Sequence, residues 1–308
     1  MHKSTKAIRL VLIGVALFLI AAVYYNTNLV PPTIGAGPAG LAVPLEPFEK
    51  VWTDRPVLIL GLGDSITTGY GASPGLSYFE RLVRNPKDEF EDMAGRNLES
   101  VLPNLSVLNI SVNGSTSLQH ERLQIPEIVK QSEDTLGIVV MTTGGNDLIH
   151  MYGRIPPAEG AMYGATVAQA QPWIANFKVR LETMLEDIQE QFPGGCHIFL
   201  ANIYDPSDGE GTFAPVGLPE WADGLALLEE YNGVIEECVE RFDYVHLVDI
   251  HGAFLGHGLF SHKKSNPYYR PDDPHYWYYE NLEDPNDRGY DAIRRVMLNE
   301  MVKVLATE

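Results

Sequence analysis

One short stretch near residue 60 constrains the fold of this chain more than any other. Residues 57–62 form a run of apolar side chains, which is typical of a buried strand in a parallel sheet. The run ends at Gly63-Asp64-Ser65, where a strand would turn into a helix. A serine at this point lies at the carboxyl edge of a sheet, close to the free N–H groups of a helix N-terminus. The stretch therefore has two interpretations, a nucleophile or an ordinary serine N-cap.

Further apolar runs alternate with helical patterns along the rest of the chain. The predicted strands cover residues 57–62, 105–112, 137–143, 196–204 and 245–250, and the predicted helices cover residues 78–98, 118–130, 173–191, 221–242 and 287–305. Apolar strands that alternate with helices are typical of a parallel sheet covered on both faces. We therefore predict an α/β fold, a three-layer α/β/α sandwich with a central, mostly parallel five-stranded sheet.

The N-terminus carries a different signal. Residues 8–25 are apolar except for Arg9 and follow Lys3 and Lys6, which predicts a signal peptide or an N-terminal membrane anchor over residues 1–25. No small-x-small cleavage site ends the run, so we favour an uncleaved anchor helix with the body of the protein outside the cytoplasm. Residues 26–56 are rich in Pro and Gly and predict a linker packed loosely on a body formed by residues 57–308.

The linker contains a glycine pattern that resembles a dinucleotide-binding fingerprint. Gly35, Gly37 and Gly40 have the required spacing, but Pro31-Pro32 precede them and Pro44 stops any helix soon afterwards. The fingerprint functions only between a buried strand and a helix. A flavin-dependent enzyme is therefore the weakest of the alternatives, and we predict no cofactor.

Composition excludes some partners. The formal net charge of −19 opposes binding to nucleic acid and to anionic lipid, because phosphate groups would be repelled.

The sequence has only two cysteines, Cys196 and Cys238, which form either a disulfide or two buried free thiols. The acidic segment 205–211 has a faint resemblance to a calcium loop but lacks the full ligand spacing, so we predict no metal.

Small polar clusters follow three successive predicted strands. They are Gly63-Asp64-Ser65, Asn113-Gly114 and Gly144-Gly145-Asn146-Asp147. Because parallel strands end at one edge of the sheet, these clusters should meet in one crevice. A serine hydroxyl with glycine N–H groups and an asparagine amide is the set that acyl transfer requires, a nucleophile and donors for an oxyanion.

A serine nucleophile also needs a base to accept its proton. Asp272 precedes His275 by three residues, so its carboxylate could orient the imidazole toward Ser65, with Asp273 as a second candidate. The other nearby histidines have no aspartate at this spacing; they are His251, His257 and His262.

With these motifs in order over residues 57–307, the chain resembles the SGNH/GDSL-type serine hydrolases, a family of esterases and lipases. The resemblance implies a flavodoxin-like sandwich with Ser65 as nucleophile, His275 as general base and Asp272 as its orienting carboxylate. It also implies an oxyanion hole formed by the N–H groups of Ser65 and Gly114 and the side chain of Asn146. It implies no metal or organic cofactor.

One segment departs from the family pattern. In the family, Pro-Asn directly follows the histidine, whereas His275 is followed by aromatic residues and Pro285-Asn286 come ten residues later. Aligned on Pro285-Asn286, the place of the histidine would be taken by Asp284. An aspartate cannot serve as the same base, so we keep His275 and predict an aromatic insertion beside the site.

The predicted function is that of a membrane-tethered, extracytoplasmic serine esterase. Its substrate would be a carboxylic ester of an O-acetylated glycan, a lipid or another small acyl compound, hydrolysed through an acyl-enzyme intermediate. The alternative from another class is a catalytically inactive SGNH-like domain that binds glycans or helps to assemble the envelope. The sequence does not select among the substrates or give the oligomeric state.

Overall fold

The computed structural model describes residues 2–28 and 32–306, with a five-stranded sheet at its centre. The strands are β1 (Val57–Leu62), β2 (Leu105–Asn109), β3 (Leu136–Met141), β4 (Cys196–Ala201) and β5 (Val245–Val248). All neighbouring strands are parallel, in the order β2-β1-β3-β4-β5. The predicted α/β sandwich with a five-stranded parallel sheet is thus confirmed.

Helices of very different length connect the strands. The α-helices are α1 (His2–Asn28), α2 (Ser65–Thr68), α3 (Tyr78–Val83), α4 (Ser117–Gln119), α5 (Gly145–Ile149), α6 (Val167–Glu190), α7 (Gly224–Arg241), α8 (Ile250–Phe254) and α9 (Asp287–Leu305). The long helices α6, α7 and α9 agree with the predicted ones to within a few residues, apart from the earlier start of α6. Their apolar residues recur at helical spacing over many turns, which makes such helices the easiest to predict.

Two predicted helices are shorter or more irregular in the structure. The helix predicted for residues 78–98 ends with α3, because Pro86 restricts the residue before it and removes a backbone donor. Two isolated 3₁₀ turns replace the remainder of that helix. The helix predicted for residues 118–130 is a succession of short α, π and 3₁₀ turns from Ser117 to Glu127, in which Pro126 interrupts the helical backbone hydrogen bonds.

The sheet separates two apolar cores. Along β1, Ile59 packs into the core that contains α3 and α9, whereas Leu60 points into the core that contains α6 and α7. Both side chains are fully buried, so the strand is apolar on both faces, as is typical of a covered parallel sheet. Cys196 and Cys238 lie in the second core as buried free thiols.

The segment before β1 is packed more tightly than its Pro and Gly content predicts. Three apolar residues of this segment are buried in the core that contains α3 and α9; they are Ala39, Val43 and Phe48. The Ala39 N–H also donates to Asp291 at 3.0 Å. A Cβ atom on Gly40 would lie 2.9 Å from the backbone of Ala292, so the glycine allows the segment to approach the helix. The glycine pattern of residues 35–40 therefore contacts a helix surface and does not connect a strand to a helix.

The N-terminal helix α1 comprises 27 residues, and the described side chains of its apolar run are largely exposed. Among the residues that the structure describes, no helix combines the length and the apolar composition needed to cross a bilayer.

The topology marks the place of a site. From β1 the chain crosses to β2 at one edge, and β3 lies on the other side of β1, so the connections diverge at the carboxyl ends of β1 and β3. Ligands of open α/β sheets bind in the crevice at such a point. Residues 63–65 and 142–146 follow these two strand ends.

Candidate active site

A sharp turn at the end of β1 presents Ser65. Gly63 has φ +128°, and a Cβ atom there would lie 2.2 Å from the Thr142 carbonyl oxygen. Asp64 then caps α2, because its Oδ1 accepts the Ile66 N–H at 3.1 Å. Ser65 is the first residue of α2, so its own N–H has no acceptor within the helix. The serine is therefore buried at the carboxyl edge of the sheet with its N–H available.

We expect Gly63→Ala to destabilise the protein by about 1–3 kcal/mol, because the new methyl group would collide with Thr142, the residue after β3, at a backbone angle that disfavours alanine. Urea denaturation followed by circular dichroism measures the loss. The matched control is Gly233→Ala in α7, where a Cβ atom meets nothing within 4 Å and should leave stability equal or higher. Equal midpoints for Gly63→Ala and the wild type would contradict the expectation.

The Asp64 carboxyl group stabilises the turn that presents Ser65. Thr142 Oγ1 donates to Asp64 Oδ1 at 2.8 Å, and Thr142 also contacts Thr67 Oγ1 at 2.9 Å. Burial raises the pKa of Asp64 to about 6, although the hydrogen bonds from Thr142 and Ile66 oppose the shift. Asp64 therefore links β3 to the serine turn and is not itself placed to attack a substrate.

The other two strand ends lie next to this turn. Asn146, in the first turn of α5, is buried, donates from Nδ2 to the Ser115 carbonyl at 3.0 Å and lines the same cleft as Ser65. Gly114 occupies a turn with φ +71°, and the Oγ of its neighbour Ser115 donates to the Gly63 carbonyl at 2.9 Å. An amide has two N–H donors, so Asn146 retains one for a ligand.

A polar network beneath the turn was not foreseen from the sequence. Gln124 pairs with the backbone of Gly63 through Oε1 at 2.9 Å and Nε2 at 2.8 Å. His120 lies between Ser115 and Thr143, and burial lowers its pKa to about 3, so it stays neutral. Both polar residues lie in the irregular helical segment, where periodicity gives no sign of burial. Gln124 and His120 therefore stabilise the turn that presents Ser65, and we assign them no role in the reaction.

The imidazole of His275 is paired with a different aspartate from the one predicted. His275 Nδ1 lies 2.5 Å from Asp273 Oδ1, and Asp273 Oδ2 lies 2.5 Å from Arg288 Nη2. Asp272 is exposed, so Asp273 replaces it as the partner of His275. The reason is local: the chain turns after Arg270, where the Asp273 N–H donates to the Arg270 carbonyl, and only Asp273 faces the ring.

His275 and Ser65 contact different sides of the start of α9. The His275 ring packs beside Gly35 and Arg288. Tyr290 instead donates to the backbone carbonyls of Tyr70 at 2.7 Å and Ser65 at 3.4 Å. Side chains two positions apart on a helix point in nearly opposite directions. The contacts of the described residues thus do not bring His275 to Ser65, and His275 is not among the residues that line the cleft there.

A carboxyl group occupies the place beside Ser65. Asp284 is 1% exposed, and burial raises its pKa, whereas hydrogen-bonding interactions with the Ser65 and Asn281 side chains lower it. Asn281 Nδ2 donates to Asp284 Oδ2 at 2.6 Å. The neighbouring Glu283 lines the cleft, and burial raises its pKa to about 7. The serine therefore faces carboxyl groups on the side where the sequence predicts an imidazole.

A cleft that is open to solvent lies at Ser65. Most of the surface that lines it is apolar; the apolar side chains include Leu148, Ile149, Ile203, Phe213, Trp221, Leu225 and Leu228. Its lining also includes polar side chains, among them Ser65, Asn146 and Glu283. A cleft with this lining suits a ligand that has one polar reacting group and an apolar body.

The acidic loop at residues 205–211 has a structural explanation. The Asp205 carboxylate accepts N–H groups of Ser207 and Gly209, and Asp208 accepts those of Gly256, Gly258 and Phe260. Within residues 2–28 and 32–306, no group of three or more His, Cys, Asp or Glu side chains could hold a metal ion. These carboxylates fix the loop that forms one wall of the cleft.

Comparisons with known proteins agree with the fold. Residues 62–292 match the GDSL-like Lipase/Acylhydrolase family. An extracellular lipase from Streptomyces rimosus is 16% identical, with a TM-score of 0.54 over 79% of this chain and 99% of that chain. A phospholipase A1 from Streptomyces albidoflavus NA297 is 16% identical, with a TM-score of 0.52 over 80% and 100%. A variant acetyl-xylooligosaccharide esterase from Geobacillus stearmophilus is 16% identical, with a TM-score of 0.52 over 82% and 96%. No curated protein sequence matches the chain.

Proposed function

Because the chain belongs to the GDSL-like lipase/acylhydrolase family and is thus a carboxylic ester hydrolase, we propose that it cleaves esters of apolar acyl groups through an acyl-enzyme on Ser65. The observation that supports this most is that Ser65 lines a cleft whose wall is mostly apolar. An acyl chain would lie along the apolar wall while its ester carbonyl meets the serine.

The oxyanion would be held by three donors. These are the N–H of Ser65, the N–H of Gly114 and the remaining Nδ2 hydrogen of Asn146. The first has no acceptor in α2, and the third belongs to a buried side chain fixed by Ser115. Donors that are already in place when charge develops on the carbonyl oxygen stabilise the transition state without reorganisation.

The acyl group is proposed to be longer than acetyl. Aromatic and branched side chains line the cleft well beyond the serine, among them Trp221, Leu225 and Leu228. Burial of each methylene there gains about 0.8 kcal/mol. The structural neighbours are named as lipases or as an acetyl esterase, so the fold by itself accommodates both types.

A chain-length series of p-nitrophenyl esters tests this proposal. We expect kcat/KM to rise about fourfold for each methylene added from acetate to hexanoate, because each methylene is transferred from water to the apolar wall. Initial rates of p-nitrophenolate release below KM give the values. A profile with acetate as the best substrate would refute the apolar acyl group and favour an acetyl esterase.

A variant with a narrower cleft, assayed on a long and a short ester, provides the matched comparison. Leu225→Trp adds bulk to the wall and should lower kcat/KM on hexanoate at least about tenfold, while the value on acetate stays within about threefold. A parallel loss on both esters would indicate damage to the site as a whole and would argue against the wall as the acyl-binding surface.

A second candidate function has one observation in its favour. No histidine lines the cleft at Ser65 among the residues that the structure describes, so the usual base of a serine hydrolase is missing from this surface. The candidate is a catalytically inactive domain that binds glycans or takes part in envelope assembly. A folded protein that leaves every ester of the series intact would favour it over the esterase.

We also propose that the protein acts outside the cytoplasm. The support is the apolar run of residues 8–25 behind basic residues, together with a structural neighbour that is described as extracellular. A fusion of residues 1–56 to alkaline phosphatase, which is active only after export, tests this in a bacterial host. Phosphatase activity equal to that of a fusion without residues 1–25 would refute export.

A further inference from the structure

Asp284 occupies a position that the chain fixes from several sides. Its backbone N–H donates to Asn281 Oδ1 at 3.2 Å, and its carbonyl accepts the Tyr279 N–H at 2.7 Å. Two residues later, Asn286 caps α9 by accepting the N–H groups of Arg288 at 3.0 Å and Gly289 at 3.1 Å. The backbone of Asp284 is therefore fixed near the N-terminal end of a long, buried helix, close to the serine turn.

The two carboxyl oxygens of Asp284 have different surroundings. Oδ2 accepts from Asn281 Nδ2 at 2.6 Å. Oδ1 is buried, and among the described residues it has no hydrogen bond of good geometry, although the Ser65 side chain is close enough to interact with the carboxyl group. A buried acceptor without a full partner is costly. This oxygen is available for the Ser65 proton, and catalytic hydrogen bonds are often long or poorly aligned before a substrate binds.

We propose that Asp284 is the general base that accepts the proton of the Ser65 hydroxyl, and that Asn281 is a positioning residue that orients the Asp284 carboxylate. The proposal rests on the proposed esterase function and deepens it. It takes the base from the segment directly before α9, where Asp284-Pro285-Asn286 stand, and leaves His275 in its pair with Asp273.

The proton balance of the reaction is complete with Asp284 alone. As the bond from Ser65 Oγ to the ester carbon forms, the hydroxyl proton moves to the Asp284 carboxylate. When the ester C–O bond breaks, the protonated Asp284 returns that proton to the leaving alcohol. In the second half, Asp284 takes a proton from water as the resulting hydroxide attacks the acyl-enzyme. The proton then returns to Ser65 Oγ as the carboxylic acid is released.

An aspartate in water is a weak base for this task, and the site compensates. Burial raises the pKa of Asp284 toward the working range of a base near neutral pH. Asn281 acts differently: its hydrogen bond lowers the pKa of Asp284 but orients the carboxylate, so that the other oxygen can accept the proton. Glu283, which lines the same cleft, is the competing carboxylate.

Three single variants separate the possible bases. On a p-nitrophenyl ester that the wild type hydrolyses, Asp284→Asn should lower kcat/KM by about 10²- to 10⁴-fold, the range of general-base catalysis. His275→Gln should keep kcat/KM within about tenfold of the wild type, and Glu283→Gln, which changes the lining of the cleft, should lose less activity than Asp284→Asn. A loss of 10²-fold or more in His275→Gln or Glu283→Gln, with Asp284→Asn nearly unaffected, would overturn the proposal in favour of that residue.

The pH profile tests the role of Asn281. In the wild type, kcat/KM should fall on acidification as Asp284 takes up a proton, because only the carboxylate can accept from Ser65. The Asn281 hydrogen bond lowers the pKa of Asp284, so Asn281→Ala should raise that pKa and move the acid limb of the profile to higher pH. An unmoved acid limb with a uniformly reduced rate would mean a purely structural role and would overturn the positioning of Asp284 by Asn281.

A double variant restores the arrangement that is usual in the family. Asn281→Asp combined with Asp284→His places an Asp-x-x-His directly before Pro285-Asn286. Recovery of activity from the level of Asp284→Asn would support the proposal, because it shows that a base works at position 284. A folded double variant with no more activity than Asp284→Asn would overturn it.

Failure of the proposal and failure of the proposed function give different results. If Ser65→Ala abolishes hydrolysis and Asp284→Asn does not, Asp284 is not the base but the esterase function stands. If the wild type hydrolyses no ester, both fail. The matched control is Asp88→Asn at an exposed site after α3, which should leave kcat/KM unchanged, and thermal denaturation confirms that each variant is folded.

Discussion

Ser65→Ala should lower kcat/KM for ester hydrolysis by about 10⁴-fold or more, because it removes the hydroxyl that is proposed to form the acyl-enzyme. Donors of the proposed oxyanion hole and the apolar cleft remain, so the variant should still bind substrate and products. Steady-state rates on the best p-nitrophenyl ester measure the loss. The effect should be on kcat, with KM changed little, since the hydroxyl contributes mainly to the transition state.

The matched control for Ser65→Ala is a serine that lies near the site without facing the cleft. Ser73 contacts Asp287 at the surface, with its Oγ 2.7 Å from the carboxylate, so Ser73→Ala should keep kcat/KM within about threefold of the wild type. Retention of more than about a tenth of wild-type activity in Ser65→Ala would exclude Ser65 as the nucleophile. A large loss in Ser73→Ala would instead show that the assay reports general disturbance of the fold.

Asp291→Asn should cost about 3–5 kcal/mol in the free energy of unfolding, because it breaks a buried cluster of ion pairs. Asp291 is fully buried and lies 2.8 Å from Arg294 Nε and 3.0 Å from Arg295 Nε. Arg81 and Glu89 complete the cluster, so loss of the Asp291 charge leaves buried guanidinium groups without enough counter-charge. Urea denaturation at neutral pH measures the change.

An exposed ion pair provides the comparison for Asp291→Asn. Arg84 and Glu99 form a bidentate pair on the surface, where solvent screens the charges, so Glu99→Gln should leave the free energy of unfolding nearly unchanged. A loss below about 1 kcal/mol in Asp291→Asn would contradict the expectation. It would mean that the remaining carboxylates compensate the cluster on their own.

The part of the site that the sequence predicts well is the part built on strand ends. Apolar runs, buried in all strands but β2 and the middle of β5, specify the strands. The parallel sheet then brings Ser65 and Asn146 to one edge, independently of the loop conformations. The same physical reason accounts for α9, whose apolar positions repeat over 19 residues. Long-period patterns and sheet topology carry this information, and both can be read from the residues alone.

The base could not be assigned from spacing because its position depends on a loop. Between β5 and α9 the chain contains one short helix, α8, and an Asp-x-x-His within such a segment has no fixed relation to the sheet edge. Asp284 had a detectable signal, since Asn286 is a good N-cap and fixes the preceding residues against the start of α9. The chemical preference for an imidazole outweighed that signal in the prediction.

The packing of residues 32–56 also could not be predicted from their amino-acid composition. Pro and Gly content predicts a loose linker, yet Ala39, Val43 and Phe48 find a groove beside α9 that exists only in the folded body. His120 and Gln124 show the same limit, because their burial follows from tertiary contacts with the serine turn. Tertiary contacts override local propensity in all of these cases.

The most direct test of the account is covalent labelling of the nucleophile. The protein is treated with a p-nitrophenyl alkylphosphonate, whose phosphorus is attacked by an activated serine with release of p-nitrophenolate. Intact mass and peptide mapping then locate the adduct. We predict one adduct per chain, on Ser65, with loss of activity in proportion to labelling and no labelling of Ser65→Ala. An adduct on another residue, or full activity after stoichiometric labelling, would contradict Ser65 as the nucleophile.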